Sequence, residues 1–110
     1  HPKQKGDITT AKVMAYLLSL GKTVLVPWGD NLRYDLVIEE AGNFSRVQCK
    51  TGRLANGCVE FNTSSTGNPN SPFRSHYQGQ ADYFGVYSFE LDKCYLVPVD
   101  QVPGSSTTPY

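Results

Sequence analysis

The stretch Arg33-Tyr34-Asp35-Leu36-Val37-Ile38-Glu39-Glu40-Ala41-Gly42-Asn43-Phe44-Ser45-Arg46-Val47-Gln48-Cys49-Lys50-Thr51-Gly52 holds two strand-like runs, residues 34–39 and 44–50, on either side of a turn cluster. That pattern predicts a β-hairpin. Side chains alternate faces along a strand, so Arg46, Gln48 and Lys50 share one face and Val47 and Cys49 the other, toward the core. A two-residue turn at Gly42-Asn43 pairs Lys50 with Asp35 and Gln48 with Val37, and a four-residue loop over 41–44 gives the same pairing. Directly paired residues share a face, which predicts a cluster of Asp35, Gln48 and Lys50. A three-residue loop breaks it, because a one-residue slip turns every side chain over.

A carboxylate and an amide carbonyl are hard oxygen ligands suited to Mg²⁺, with Mn²⁺ as the alternative, and the backbone carbonyl of Cys49 can add a third donor. A lysine beside them stabilises charge on a phosphate. Asp35, Gln48 and Lys50 are therefore candidate catalytic residues for phosphodiester hydrolysis, with Asp35, Gln48 and the Cys49 carbonyl as the metal donors. A solvated hairpin face carrying an Asp–Lys pair has the same spacing and is worth little energetically. Spacing alone leaves both open.

Outward from the hairpin, residues 8–20 predict a helix. Asp7 or Thr9 is placed to cap it, Gly21 to end it, and Val13, Leu17 and Leu20, with Met14 beside them, to form its apolar stripe. Residues 23–26 predict a short strand stopped by Pro27, and Trp28 is expected as a core or rim aromatic. Beyond the hairpin, residues 52–57 are expected as a turn and 58–62 as a strand, with two more strands at 83–88 and 94–98. Residues 63–80 are rich in Ser, Thr, Asn, Pro and Gly. They are either a linker or a substrate-contacting loop carrying Arg74, His76, Tyr77 and Gln78. The tail after Pro103 is expected to fray. The order implies an α+β layout around one central sheet.

At 110 residues the chain is expected to form one domain, 1–110. No apolar run is long enough to cross a membrane, and the N-terminus lacks a secretory pattern, so a cytoplasmic location is expected. Cys49, Cys58 and Cys94 are an odd set with no CxxC pair, which argues for buried free thiols over disulfides or structural zinc. Net charge is zero, which disfavours a general nucleic-acid coat. Yet Arg46, Lys50, Arg53 and Arg74 stand against only Glu60 in residues 41–81, a balance of +3. That segment can face phosphates, and chance scatter produces the same sum.

Several blocks together carry a resemblance. Lys5-Gly6-Asp7-Ile8 with Ala11-Lys12-Val13, Arg33-Tyr34-Asp35-Leu36-Val37-Ile38 and Arg46-Val47-Gln48-Cys49-Lys50-Thr51-Gly52 are three of them. Val59-Glu60-Phe61-Asn62-Thr63, His76-Tyr77-Gln78-Gly79-Gln80-Ala81-Asp82-Tyr83-Phe84 and Leu91-Asp92-Lys93-Cys94-Tyr95-Leu96-Val97-Pro98-Val99 complete the set. Over residues 5–103 the chain resembles the group I intron-encoded homing endonuclease branch of the PD-(D/E)XK nucleases. The resemblance implies a restriction-endonuclease-like core, a central mixed sheet with an N-terminal flanking helix. It implies Mg²⁺-dependent cleavage of double-stranded DNA by a homodimer or homotetramer. Asp35 takes the place of the motif's metal-binding Asp, Gln48 the place of its Asp or Glu, and Lys50 the place of its catalytic Lys. Thr10 stands about where many members carry a Glu on the first helix.

Arg33, Arg46, Arg53, Arg74 and Tyr77 are the candidate DNA contacts, each also explicable as an exposed charge or, for Tyr77, a packed loop base. Lys5 and Lys12 on the first helix are read as solvated charges, with contact to a DNA backbone as the alternative. Two rival functions keep the fold: a nuclease that reads branched DNA as Holliday junction resolvases do, and a catalytically silent DNA-binding module.

Overall fold

A computed structural model of the chain describes residues 2–29, 32–63 and 80–101, and the backbone of 107–109. Helix α1 spans Pro2–Ser19. Proline suits a first helical position, where its missing N–H has no partner to lose. The expected start near Ile8 is corrected: Asp7 and Thr9 lie inside the helix and cap nothing. Lys3, Gln4 and Lys5 are good helix formers, and one glycine, Gly6, is tolerated at a cost of about 1 kcal/mol. The other end closes as expected at Gly21, whose φ of 80° lets its N–H reach Leu18 O at 3.0 Å while Lys22 N–H reaches Leu17 O at 3.1 Å.

Seven strands pair in one mixed sheet among the described residues: β1 Thr23–Leu25, β2 Leu36–Glu40, β3 Asn43–Ala55, β4 Cys58–Asn62, β5 Tyr83–Ser88, β6 Lys93–Pro98 and β7 Thr107–Pro109. Strand β3 organises them along its length. Its residues 43–47 pair antiparallel with β2, 47–52 run parallel to β5, and 53–55 pair antiparallel with β4. Strand β1 extends the sheet beyond β2, and β6 beyond β5. The tail expected to fray instead places β7 against β4. An antiparallel edge supplies backbone partners that a Ser- and Thr-rich composition does not advertise. The supposed turn at 52–57 is also shorter than expected. Strand β3 continues through Arg53, and Asn56-Gly57, both at positive φ, make the reversal.

Alternation along β3 and β5 divides the core in two. Between α1 and the sheet, Val13 and Leu17 of the helix pack with Leu36, Ile38, Val47 and Tyr87. On the opposite face Val59, Phe61, Phe84, Val86, Val97 and Val99 pack together. The helix stripe runs through Thr9, Val13 and Leu17, while Leu20, expected inside, is half exposed just beyond the helix end.

Gly85 fixes how closely α1 approaches the sheet. A Cβ there falls 2.6 Å from Val13 Cγ1 and 3.1 Å from Val47 Cγ1, and β-branched side chains rotate poorly out of the way. Gly85→Ala is therefore expected to destabilise the fold by about 1–3 kcal/mol through overpacking. Urea unfolding measures it, and an unchanged midpoint would show that α1 rides up freely.

Candidate functional site

The hairpin that presents the candidate residues forms with a corrected register. The turn is Ala41-Gly42, with φ of 51° and 83°, and the Gly42 N–H donates to Glu39 Oε2 at 3.0 Å. Both central residues at positive φ are what a type I′ turn requires. Val37 therefore pairs with Arg46 rather than Gln48, and Leu36 with Val47. One step further, Asp35 aligns with Gln48, and Lys50 lies beyond the paired part of β2. The shift is two residues, so the faces are unchanged.

Asp35 leaves β2 at the edge of β3. Its N–H donates to Val47 O at 2.8 Å, and its Oδ2 accepts the Cys49 N–H at 2.8 Å. The two bonds pin the carboxylate against the β3 backbone rather than on either face of the hairpin. Burial raises its pKa above the ordinary carboxylate value, against the Cys49 amide and the Lys50 charge, which lower it. Gln48 reaches the same edge: its Nε2 lies 3.4 Å from Cys49 O. Lys50 shares a face of β3 with Gln48, is partly buried and has Val86 as its neighbour on β5. Burial pushes its pKa down to about 8; the Arg33 charge adds to the depression and Asp35 opposes it. The structure thus gathers Asp35, Gln48, Lys50 and the Cys49 backbone along one edge, with Arg33 close enough to act on Lys50.

The Cys49 side chain turns the other way, toward α1. Burial, then the Asp35 charge, drives its thiol up to about 12, so it remains protonated. All three cysteines are free, but none is fully buried as expected: Cys49 and Cys94 are half-buried and Cys58 is exposed. Thr10, in the place of the helix glutamate, donates its hydroxyl to Gly6 O at 3.2 Å and lines a groove with Asp7, Tyr34 and Asp35. Its neighbour Thr9 is fully buried and hydrogen-bonded to Thr51 Oγ1 at 2.6 Å, which ties α1 to β3 one residue from Lys50. That tie was missed. The signal was a threonine four residues before Val13, on the apolar side of the helix.

The candidate DNA contacts fare unequally. Arg53 lies on β3 and pairs with Glu60 at 3.1 Å. Arg46 is engaged by Asp82, whose Oδ2 accepts its N–H at 2.7 Å and its Nε at 3.2 Å. Arg74, His76, Tyr77 and Gln78 lie outside the described residues. Trp28, expected in the core or at a rim, is fully exposed.

Burial raises the Asp82 pKa, and the Arg46 bonds outweigh it, so the carboxyl sits below its ordinary value of 3.8. A carboxylate depressed in the native state contributes stability above its unfolded pKa, which is lost as pH falls through the native one. Asp82→Asn is therefore expected to be less stable than the parent at pH 7. The two urea midpoints are expected to converge in acid. A constant gap across that range would mean the carboxylate charge contributes nothing.

Hard oxygen donors define what the edge can hold. Asp35 Oδ1 is not used by the Cys49 amide, Cys49 O faces the Gln48 amide, and rotating that amide presents Oε1 in place of Nε2. One carboxylate and two neutral carbonyls suit Mg²⁺ or Mn²⁺ and not zinc. No group of three or more His, Cys, Asp or Glu gathers among the described residues. No helix among them is long and apolar enough to cross a membrane.

Over residues 1–109 the chain matches the family described as PD-(D/E)XK endonuclease. Among solved structures it is similar to a bacterial homing endonuclease, I-Ssp6803I, with 32% identity and a TM-score of 0.80, across 98% of this chain and 76% of that one. No curated protein matches it.

Proposed function

Because this chain belongs to the PD-(D/E)XK endonuclease family, we propose that it is a metal-dependent, site-specific DNA endonuclease of the homing type. The observation that carries the reading is the convergence of the Asp35 carboxylate, the Gln48 amide, the Cys49 carbonyl and the Lys50 ammonium at one edge of β3.

Asp35, Gln48 Oε1 and Cys49 O would hold a divalent cation. When bound, Mg²⁺ or Mn²⁺ supplies positive charge against a phosphate and makes a water easier to deprotonate. The rest falls to the chain. The Cys49 amide orients Asp35, so the carboxylate is preset rather than free to rotate. Lys50 is held without full hydration, where its charge acts on a phosphate oxygen more strongly than it does in water. Arg33 adds a second positive charge near that end, favouring a phosphodiester over a neutral substrate. The described edge offers one such set per chain, so cutting both strands calls for two chains, as a homodimer or homotetramer.

Plasmid cleavage tests the reading. The protein is expected to nick or linearise DNA carrying its target with Mg²⁺ or Mn²⁺, and to stop when chelator is added. Undiminished cutting in chelator overturns the metal role. Preferential cutting of four-way junctions would assign the site to branched DNA instead. Tight, metal-independent binding with no cleavage of a target-bearing library would assign it to a silent module, for which Thr10 in the place of a helix glutamate is the supporting observation.

A further inference from the structure

Side chains alternate along β3, so Lys50 projects to one face while Cys49 and Thr51, on either side of it, project toward α1. Two consecutive helix residues meet them there. Thr9 Oγ1 lies 2.6 Å from Thr51 Oγ1, and the Thr10 hydroxyl interacts with the Cys49 thiol. The helix therefore touches β3 just before and just after Lys50, on the face opposite its ammonium. Thr9 is 1% exposed, on the stripe that continues through Val13 and Leu17. Packing alone asks for an apolar residue at that place, and valine has threonine's shape. Two buried hydroxyls bonded to each other add little stability over two methyls, yet one left alone costs its full desolvation. What the pair adds is direction. Apolar contacts tolerate a slide of α1 along β3, and a short hydrogen bond does not.

We propose that Thr9 is a positioning residue for the nuclease site, its hydrogen bond to Thr51 fixing the β3 backbone so that Lys50 meets the scissile phosphate in register with Asp35. The inference rests on the nuclease reading above and adds to it a residue on the helix behind the strand. The sheet explains why such a tie is needed. Strand β3 pairs with β2 only as far as Val47 and with β4 only from Arg53. Among the described strands, residues 48–52 are paired with β5 alone. The open side of that stretch is where the site lies, and there the Asp35 carboxylate holds the Cys49 amide at 2.8 Å. Thr9 supplies from α1, at the next residue but one, the constraint that a second neighbouring strand gives elsewhere. A reacting group misplaced by about 1 Å costs on the order of 10²-fold in rate, even when the change is made away from the chemistry.

Three variants test it. Thr9→Val keeps the shape and removes the hydroxyl, Thr9→Ser keeps the hydroxyl, and Thr9→Val with Thr51→Val removes both partners. Each is compared with the parent in single-turnover cleavage with Mg²⁺, on a plasmid that the parent cuts from a random-insert library. Anisotropy of the labelled duplex in chelator and urea unfolding accompany it. Thr9→Val is expected to cleave about 10- to 100-fold more slowly at saturating enzyme while binding the duplex as the parent does, and Thr9→Ser to recover most of the rate. The double variant separates positioning from stability. Its urea midpoint is expected to return toward the parent's, because no hydroxyl is left buried alone, while its cleavage stays as slow as that of Thr9→Val. A double variant that regains both midpoint and rate overturns the inference and leaves the pair a contact of the fold. The same two readings decide if Thr9→Val does not fold. A loss confined to duplex affinity also overturns it. Cleavage by the parent separates the two failures. A parent that cuts only with metal, beside variants that cut equally fast, overturns this inference alone. A parent that cuts nothing in the library overturns the nuclease reading and this inference with it.

Discussion

Lys50→Ala is expected to lower metal-dependent DNA cleavage by about 10²–10³-fold, the usual loss when one preorganised charge donor is removed from a transition state. The residue's surroundings account for the size. Lys50 is partly buried on β3 beside Val86, and that burial pushes its pKa down to about 8. A poorly hydrated ammonium gives more to a phosphate than a solvated one, because little water must be displaced when charge develops. Lys50→Arg is not expected to rescue the loss. The guanidinium is planar and larger, and it cannot replace a compact charge held at this depth. Asp35→Ala is expected to cost as much in cleavage, and in addition to weaken Mn²⁺ binding measured by calorimetry, which Lys50→Ala spares. If the two residues act as one unit, the double variant is little worse than either single one. Cleavage by Lys50→Ala at the parent rate, with an intact fold, would remove this lysine from the chemistry.

The largest expected effect on stability comes from Phe84→Ala, about 3–5 kcal/mol. Phe84 is among the largest fully buried side chains. It meets Phe61 edge-on, with ring centroids 5.5 Å apart and planes at 64°. Deleting the ring loses its transfer free energy and leaves a cavity between β4 and β5 that strands cannot readily close. Domains of this size have only about 5–15 kcal/mol of stability in all, so the variant is expected to be partly unfolded at ordinary temperatures. Phe44→Ala is the control. The same residue type sits at 64% exposure on β3, and its loss is expected to fall within about 0.5 kcal/mol. Equal urea midpoints for the two variants would contradict the division of the core described here.

Much of this was legible before any coordinates. The bounds of β4 and β5 follow from alternation and flanking turn residues, and Gly21 ends α1 because its position favours a left-handed residue. The grouping of Asp35, Gln48 and Lys50 was legible because strand parity keeps Gln48 and Lys50 on one face whichever two-residue turn forms. The register itself was not. Shifting the hairpin by two residues leaves every apolar residue on its own side, so the pattern of Leu36, Ile38 and Val47 cannot tell Gly42-Asn43 from Ala41-Gly42. Local preference favoured asparagine at positive φ, yet Ala41 takes that conformation.

What decided it lies outside the hairpin. Val24 pairs with Ile38 from β1, and Tyr83 pairs with Val47 from β5. These long-range contacts distinguish registers that alternation cannot. The strand at residues 107–109 and the exposure of Trp28 were hidden for the same reason. The sequence by itself determined which residues alternate, turn and carry charge, because those properties are local. The pairing register, the placement of Asp35 at a strand edge and the environment that depresses the Lys50 pKa came only from tertiary structure. Each depends on chain segments far apart in sequence and close in space.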